Sequence, residues 1–196
     1  MRRKKAGKRT LLIALFLLCA ILWFVRYKSL NHRYHETDVK VVSYQMQEAV
    51  SFDSNILRSG NTASGCSLEV TDFMITNYPD YMVSIGSQSV YPTIQSAGVV
   101  TFILRNDSAS ETVTIEPAFV LHGVDELLPI LSDDVYALNG KEAYTISLAP
   151  GASETLRFSF SLDSLSTYTL KHIDKYPIYF QITAYPETKD IQVNGL

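Results

Sequence analysis

The sequence predicts an all-β fold: one β-sandwich domain, carried behind a single N-terminal transmembrane helix. Three observations point there. Residues 10–25 are uncharged and mostly apolar, directly after nine residues that hold six basic side chains and no acidic one. Beyond residue 38, apolar residues recur with a period of two rather than 3.6. Clusters of Gly, Asn, Asp, Ser and Pro separate those runs at short intervals, as turns separate strands.

The N-terminal segment comes first. As a helix, residues 10–25 would reach roughly 24 Å at about 1.5 Å per residue, a little short of a hydrocarbon core of about 30 Å. Arg9 and Arg26 close the difference by extending to the headgroups. Trp23 and Tyr27 stand where an interfacial aromatic belt belongs. Arg2, Arg3, Lys4, Lys5, Lys8 and Arg9 form a cationic flank that stays cytoplasmic. Residues 1–9 are thus expected as a cytoplasmic tail, residues 10–27 as a signal anchor in the bilayer of the cell membrane, and the C-terminal domain outside. A cleaved signal peptide is the competing reading. Against it, Ala20 is the only small residue near the end of the run, Leu18 stands at its −3 position, and Ile21 to Val25 prolong the apolar stretch. Leu18 also occupies the position where lipoprotein processing at Cys19 needs a small residue.

Composition limits the remaining choices. The chain has 196 residues, which leaves one domain beyond the anchor. From residue 34 onward, 8 Lys and Arg stand against 20 Asp and Glu, a net charge of −12. Such a surface excludes nucleic acid and adhesion to anionic lipid, and suits a soluble exterior. Two cysteines build no disulfide framework, because Cys19 belongs to the span and Cys66 lies beyond it. An exported domain without disulfides suits a bacterial surface better than a eukaryotic ectodomain. Cys66 is either a buried small apolar residue or a free thiol for intermolecular pairing. The sequon at Asn106-Asp107-Ser108 carries meaning only in a glycosylating host.

The chain then reads in order. Residues 28–38 are a juxtamembrane stalk; His32 and His35 would share a helical face, yet a solvated linker is the better reading than a metal site. Residues 39–46 are β-branched and aromatic, a first strand, and 47–65 form a long loop with turn signals. In 67–77, Leu68 and Val70 alternate with Glu69 and Thr71, then Phe73 and Ile75 take over; that one-residue shift predicts a β-bulge. Residues 77–80 read as a turn. Residues 99–106 are apolar on both faces and predict a central strand. Residues 111–122 are extended with a break at Pro117, and the acidic stretch 123–140 is irregular. Ile146 and Leu148 alternate with polar neighbours, Ala149-Pro-Gly-Ala152 is a tight turn, and Leu156, Phe158, Phe160 and Leu162 alternate with Arg157, Ser159 and Ser161. Residues 163–175 allow a short helical turn. Ile178, Phe180 and Ile182 mark a last strand before Tyr185-Pro186. Seven or eight short strands argue a β-sandwich over residues 39–196.

Three stretches carry a resemblance: residues 100–106 (Val-Thr-Phe-Ile-Leu-Arg-Asn) followed by a polar turn, residues 148–151 (Leu-Ala-Pro-Gly) leading into 156–160 (Leu-Arg-Phe-Ser-Phe), and residues 65–72 (Gly-Cys-Ser-Leu-Glu-Val-Thr-Asp) as an early strand. Together they resemble the immunoglobulin-like ectodomains of small membrane-anchored bacterial proteins, chiefly Gram-positive and of unknown function. The resemblance covers about residues 39–185 and implies an immunoglobulin-like sandwich with no active site to carry over. The long 47–65 loop and the lack of an inter-sheet cysteine pair depart from that pattern.

Candidate chemistry is sparse. His122 and His172 are the only histidines of the folded part, and neither stands in a nucleophile context. Ser64-Gly65-Cys66 is no nucleophile elbow. Asp125-Glu126 and Asp133-Asp134 could offer hard oxygen ligands to calcium, without EF-hand spacing. Tyr78, Tyr81, Tyr91, Tyr176 and Tyr179 could form a recognition face. No Leu-Pro-x-Thr-Gly sorting signal occurs, and a nine-residue tail is too short for a signalling module. The expectation is a non-enzymatic single-pass protein, with no catalytic, cofactor or metal residue assigned, whose outer domain contacts a protein partner, as an accessory subunit of a membrane complex. The alternative is an adhesion or carbohydrate-binding module, calcium-assisted through residues 123–140.

Overall fold

The computed structural model describes residues 14, 16–27, 39–123, 126–140 and 145–194. The chain divides into two units, Met1–Val39 and Lys40–Leu196. In the first, Ala14 and residues 16–27 are helical, and the Trp23 and Tyr27 rings stack with centroids 5.5 Å apart. No helix among the described residues is long and apolar enough to cross a membrane. Residues 10–13 and 15 of the expected span lie outside the described residues, as do the expected tail 1–9 and stalk 28–38 with its two histidines.

The second unit is a β-sandwich. In chain order its strands are β1 (Lys40–Gln45), β2 (Ala49–Ser51), β3 (Cys66–Asn77), β4 (Ser96–Asn106), β5 (Val113–Ile115), β6 (Val120–Gly123), β7 (Glu126–Pro129), β8 (Ile146–Leu148), β9 (Ser153–Ser161), β10 (Tyr179–Gln181) and β11 (Glu187–Gln192). Three short α-helices interleave: α1 (Tyr78–Ser84), α2 (Asp134–Asn139) and α3 (Thr167–Lys171), the last followed by a 3₁₀ turn, Ile173–Lys175. One sheet runs β1-β11-β10-β6-β7 and the other β2-β3-β4-β9; β5 and β8 pair by themselves. β1 lies parallel to β11, and the other pairings are antiparallel.

Period-two patterning sets which side chains meet between the sheets. Leu68 and Val70 of β3, Val100, Phe102 and Leu104 of β4, and Leu156, Phe158 and Phe160 of β9 project inward from one sheet, each at most 1% exposed. Leu121, Phe180 and Ile191, which stand opposite one another across β6, β10 and β11, are fully buried in the other. Between them Phe102 meets Phe158 edge-on at 5.0 Å, and Phe119 meets Phe180 at 5.2 Å. Each such ring contributes about 1.5–3 kcal/mol by leaving water. The expected bulge is present: the β3–β4 register shifts between Val70 and Asp72. After it Phe73 is half-buried, while Ile75 remains 41% exposed. β4 is central, flanked by β3 and β9, as its two-sided apolar run requires.

Four expectations need correction. The 47–65 loop contains β2, held by pairing with β3 rather than by its own short sequence. Residues 77–80 open a helix instead of closing a turn: the Asn77 side chain accepts from the Asp80 N–H, and Pro79 sits in the first turn, where its missing N–H leaves no bond unmade. The acidic stretch 123–140 holds β7 and α2. A further strand, β11, follows residues 178–182; its charged sequence hid it, since Lys189 and Asp190 are 3% and 4% exposed.

Candidate functional site

Two regions of the sandwich unit gather polar side chains behind accessible surface. The first lies beside α1. Tyr78, Met82, Val83, Tyr91, Pro92 and Ile94 are among the residues lining a groove of about 320 Å³. The chain reaches it because β3 ends in an Asn cap, α1 makes two turns, and residues 85–95 return along it to β4. Tyr78 and Met82 anchor the helix in a small separate core with Ala97, Leu131 and Leu138. Val83 faces out, 74% exposed.

Behind the groove sits Asp134, fully buried at the start of α2. Its Oδ2 accepts from the Tyr78 hydroxyl at 2.8 Å and from the Ser89 hydroxyl at 2.6 Å; its Oδ1 accepts from the Val90 N–H at 2.9 Å. Since the single Tyr78 proton goes to the carboxylate, the Ser159 hydroxyl donates to the Tyr78 oxygen, 2.8 Å away. Burial, helped by the nearby carboxylate, pushes the Tyr78 phenol above its ordinary value. The carboxylate thus ties α1, the 85–95 segment, α2 and β9 into one wall. Tyr91 closes the rim by donating to Asp133 at 3.0 Å.

The second region is the outward face of the five-stranded sheet. Leu121, Phe180 and Ile191 point to the core, so their neighbours His122, Tyr179, Gln181 and Asp190 point away from it. His122 Nε2 lies 3.1 Å from Asp190 Oδ2, and the His122 and Tyr179 rings stack at 5.4 Å. Asp190 Oδ1 is buried and meets no hydrogen-bond donor. Gln181 Oε1 accepts from Arg58 Nε at 3.1 Å and from Nη2 at 2.9 Å. On β11 of the same sheet, between β1 and β10, Lys189 Nζ donates to the Ser51 carbonyl at 2.6 Å and to Asp53 Oδ2 at 2.5 Å. The Lys189 ammonium, followed by the Ser51 hydroxyl, holds the Asp53 carboxyl below its usual range.

The residues singled out from sequence fall as follows. His172 is half-buried; its Nδ1 meets the Tyr168 carbonyl one helical turn back, at 2.9 Å. Cys66 is 1% exposed, and burial pushes its thiol up to about 11, so it is the small buried residue and not a nucleophile. The tyrosines do not share one face: Tyr78 is fully buried, Tyr81 packs half-buried against the small core, Tyr91 lines the groove, and Tyr179 lies on the outward sheet face. Asp134 is not a solvated loop acid, and its oxygens are taken by three donors. Asp125 and the Glu126 side chain lie outside the described residues, and among those described no group of three metal-ligating side chains occurs. Arg58 and Asp190 were missed as site residues, and Asp134 was singled out only as a calcium ligand, not as the brace of the groove. The signals present were an Asn-x-Pro-Asp helix start for the groove, and nothing local for Asp190, whose partner lies 68 positions away in sequence.

With the geometry in place, comparison with known families is decisive on one point. Residues 41–189 match the family model described as a domain of unknown function, DUF5028. The chain belongs to this family. A comparison with curated proteins finds no match. Among solved structures, this DUF5028 member is similar to an uncharacterised β-sandwich protein from Clostridium difficile 630, at 9% identity and a TM-score of 0.43, over 79% of this chain and 97% of that one.

Proposed function

We propose that this DUF5028 protein is a non-enzymatic, membrane-anchored surface protein whose outer sandwich holds a segment of a partner protein in the groove beside α1. One observation carries the reading: an open apolar groove whose back wall is braced by a buried, fully hydrogen-bonded carboxylate. Bracing of that kind fixes a shape, which binding needs. Apolar and aromatic side chains such as Met82, Val83, Tyr91 and Ile94 dominate the groove lining, no histidine lines it, and the Ser89 hydroxyl that meets the Asp134 carboxylate belongs to the bracing, so its chemistry suits recognition rather than turnover.

The anchor rests on the uncharged run 10–25 and the basic residues before it. The protein is accordingly read as cytoplasmic at its N-terminus, in a Gram-positive cell membrane, with the sandwich outside as an accessory subunit of a membrane complex. An immunoglobulin-like arrangement is supported by the strand order. β4 pairs with β9 in one sheet, β6, β10 and β11 lie together in the other, and the chain changes sheet between β4 and β6, β7 and β9, and β9 and β10. Crosslinking in intact cells, followed by mass spectrometry of whatever is joined to the full-length protein, tests the function. One membrane or secreted protein captured in high yield is the expected result. A soluble outer domain that turns over a cell-wall substrate would refute it.

A further inference from the structure

Outward-facing side chains of a sandwich normally meet water, yet on the five-stranded sheet Gln181 is 8% and Asp190 4% exposed. The Asp190 carboxylate spends one oxygen on His122 and leaves the other buried without a donor. A purely structural ion pair tends to satisfy both oxygens, because an unmet buried acceptor destabilises the fold. The arrangement therefore holds the His122 ring in place at a cost to stability. We infer that this face is a binding site for a neutral carbohydrate, contacted by Arg58, His122, Tyr179 and Gln181, with Asp190 as the positioning residue behind His122.

The ligand class follows from what these groups offer. Asp190 Oδ2 stands 3.1 Å from Nε2, so Nδ1 is the ring atom left for a ligand, an acceptor where Nε2 keeps the hydrogen of the neutral imidazole and a donor in the charged ring. A hydroxyl satisfies either state, since it both donates and accepts; an oxyanion satisfies only one. Arg58 uses its Nε and Nη2 donors on the neutral Gln181 amide, and no carboxylate among the described residues pairs with it. Other donors of its five remain for a ligand. Gln181, whose oxygen is taken by Arg58, has its amide hydrogens to give. The Arg58 and Asp190 charges cancel across one patch, so net charge selects neither an anion nor a cation. The stacked Tyr179 and His122 rings, 24° from parallel, add a flat apolar wall of the kind on which the C–H face of a sugar ring packs. Tyr179 and His122 stand directly opposite in register, and Gln181 is the diagonal neighbour of His122 at about 7–8 Å, within the span of one pyranose.

The test uses the full-length protein in a non-glycosidic detergent on an array of neutral hexoses, N-acetylhexosamines and uronic acids. Retention on neutral glycans is expected, weakened about tenfold or more in Arg58→Ala and in Tyr179→Ala, and unchanged in Val83→Glu, which alters only the groove. Nitrogen NMR of His122 should show its Nδ1 signal moving on glycan addition, and Asp190→Asn should abolish that movement while the domain stays folded. No retained glycan would overturn the inference, as would retention confined to uronic acids, which marks an anion site. Binding indifferent to both Arg58→Ala and Tyr179→Ala would place the glycan elsewhere and overturn it equally. Since the groove is not involved, these outcomes leave the partner-protein reading to its own experiment.

Discussion

Replacing Asp134 separates the two roles a buried carboxylate can have. Asp134→Ala strips the acceptor from the Tyr78 hydroxyl, the Ser89 hydroxyl and the Val90 N–H at once. Hydrogen bonds to a charged group contribute about 1.5–3 kcal/mol each, but three offsets apply. Tyr78 keeps its contact with Ser159, Ser89 is only half-buried and can turn to water, and removing the carboxylate relieves its desolvation. The expected loss is about 2–4 kcal/mol. Asp134→Asn keeps an oxygen for the Val90 N–H and faces an amide toward two hydroxyls that can reverse to accept from it; its loss should be about half as large. Urea denaturation reads both variants as a lowered midpoint at constant slope. A midpoint unchanged in Asp134→Ala would refute the bracing argument. Equal losses in the two variants would show that the charge, not the acceptor geometry, holds the wall.

Three further outcomes are expected. Asn106→Ala should lower stability by about 2–4 kcal/mol in the same assay, because this 2%-exposed side chain donates to the Glu111, Leu148 and Ala149 carbonyls and accepts from the Ser108 N–H. Asp53 has a lowered folded-state value, so its stabilisation is present above the ordinary carboxylate range and disappears as pH falls through the lowered one; in Asp53→Asn the acid limb of a stability–pH profile should flatten. Cys66, buried and with its thiol raised to about 11, should resist alkylation at neutral pH until the domain is unfolded; prompt labelling of the native protein would contradict that burial.

The parts of the fold legible in the sequence are those where one strand's own pattern decides its placement. β9 shows alternation, β4 shows two-sided apolarity, and the bulge in β3 appears as a phase change at Thr71. What escaped depends on neighbours. β2 is three residues long and exists because β3 offers it a ladder. β11 carries Glu187, Lys189 and Asp190, and the buried charges are tolerated only because Asp53, Ser51 and His122 arrive from elsewhere in the chain. α1 is too short for a helical period to show, although its cap residues were in plain view. The groove followed the same rule. Tyr78, Tyr91 and Asp134 could be picked out as candidates, but Asp134 read as a calcium ligand rather than a brace because its three donors come from segments 44 to 56 positions away.

The groove reading is tested most directly by placing a photo-crosslinking residue at Val83, on the exposed side of α1, and another at Tyr168, 67% exposed on α3, in the full-length protein in its native cells. Irradiation is expected to join one defined protein at position 83 and not at position 168. No adduct at 83, or the same adducts from both positions, would contradict the claim that the groove beside α1 holds a partner.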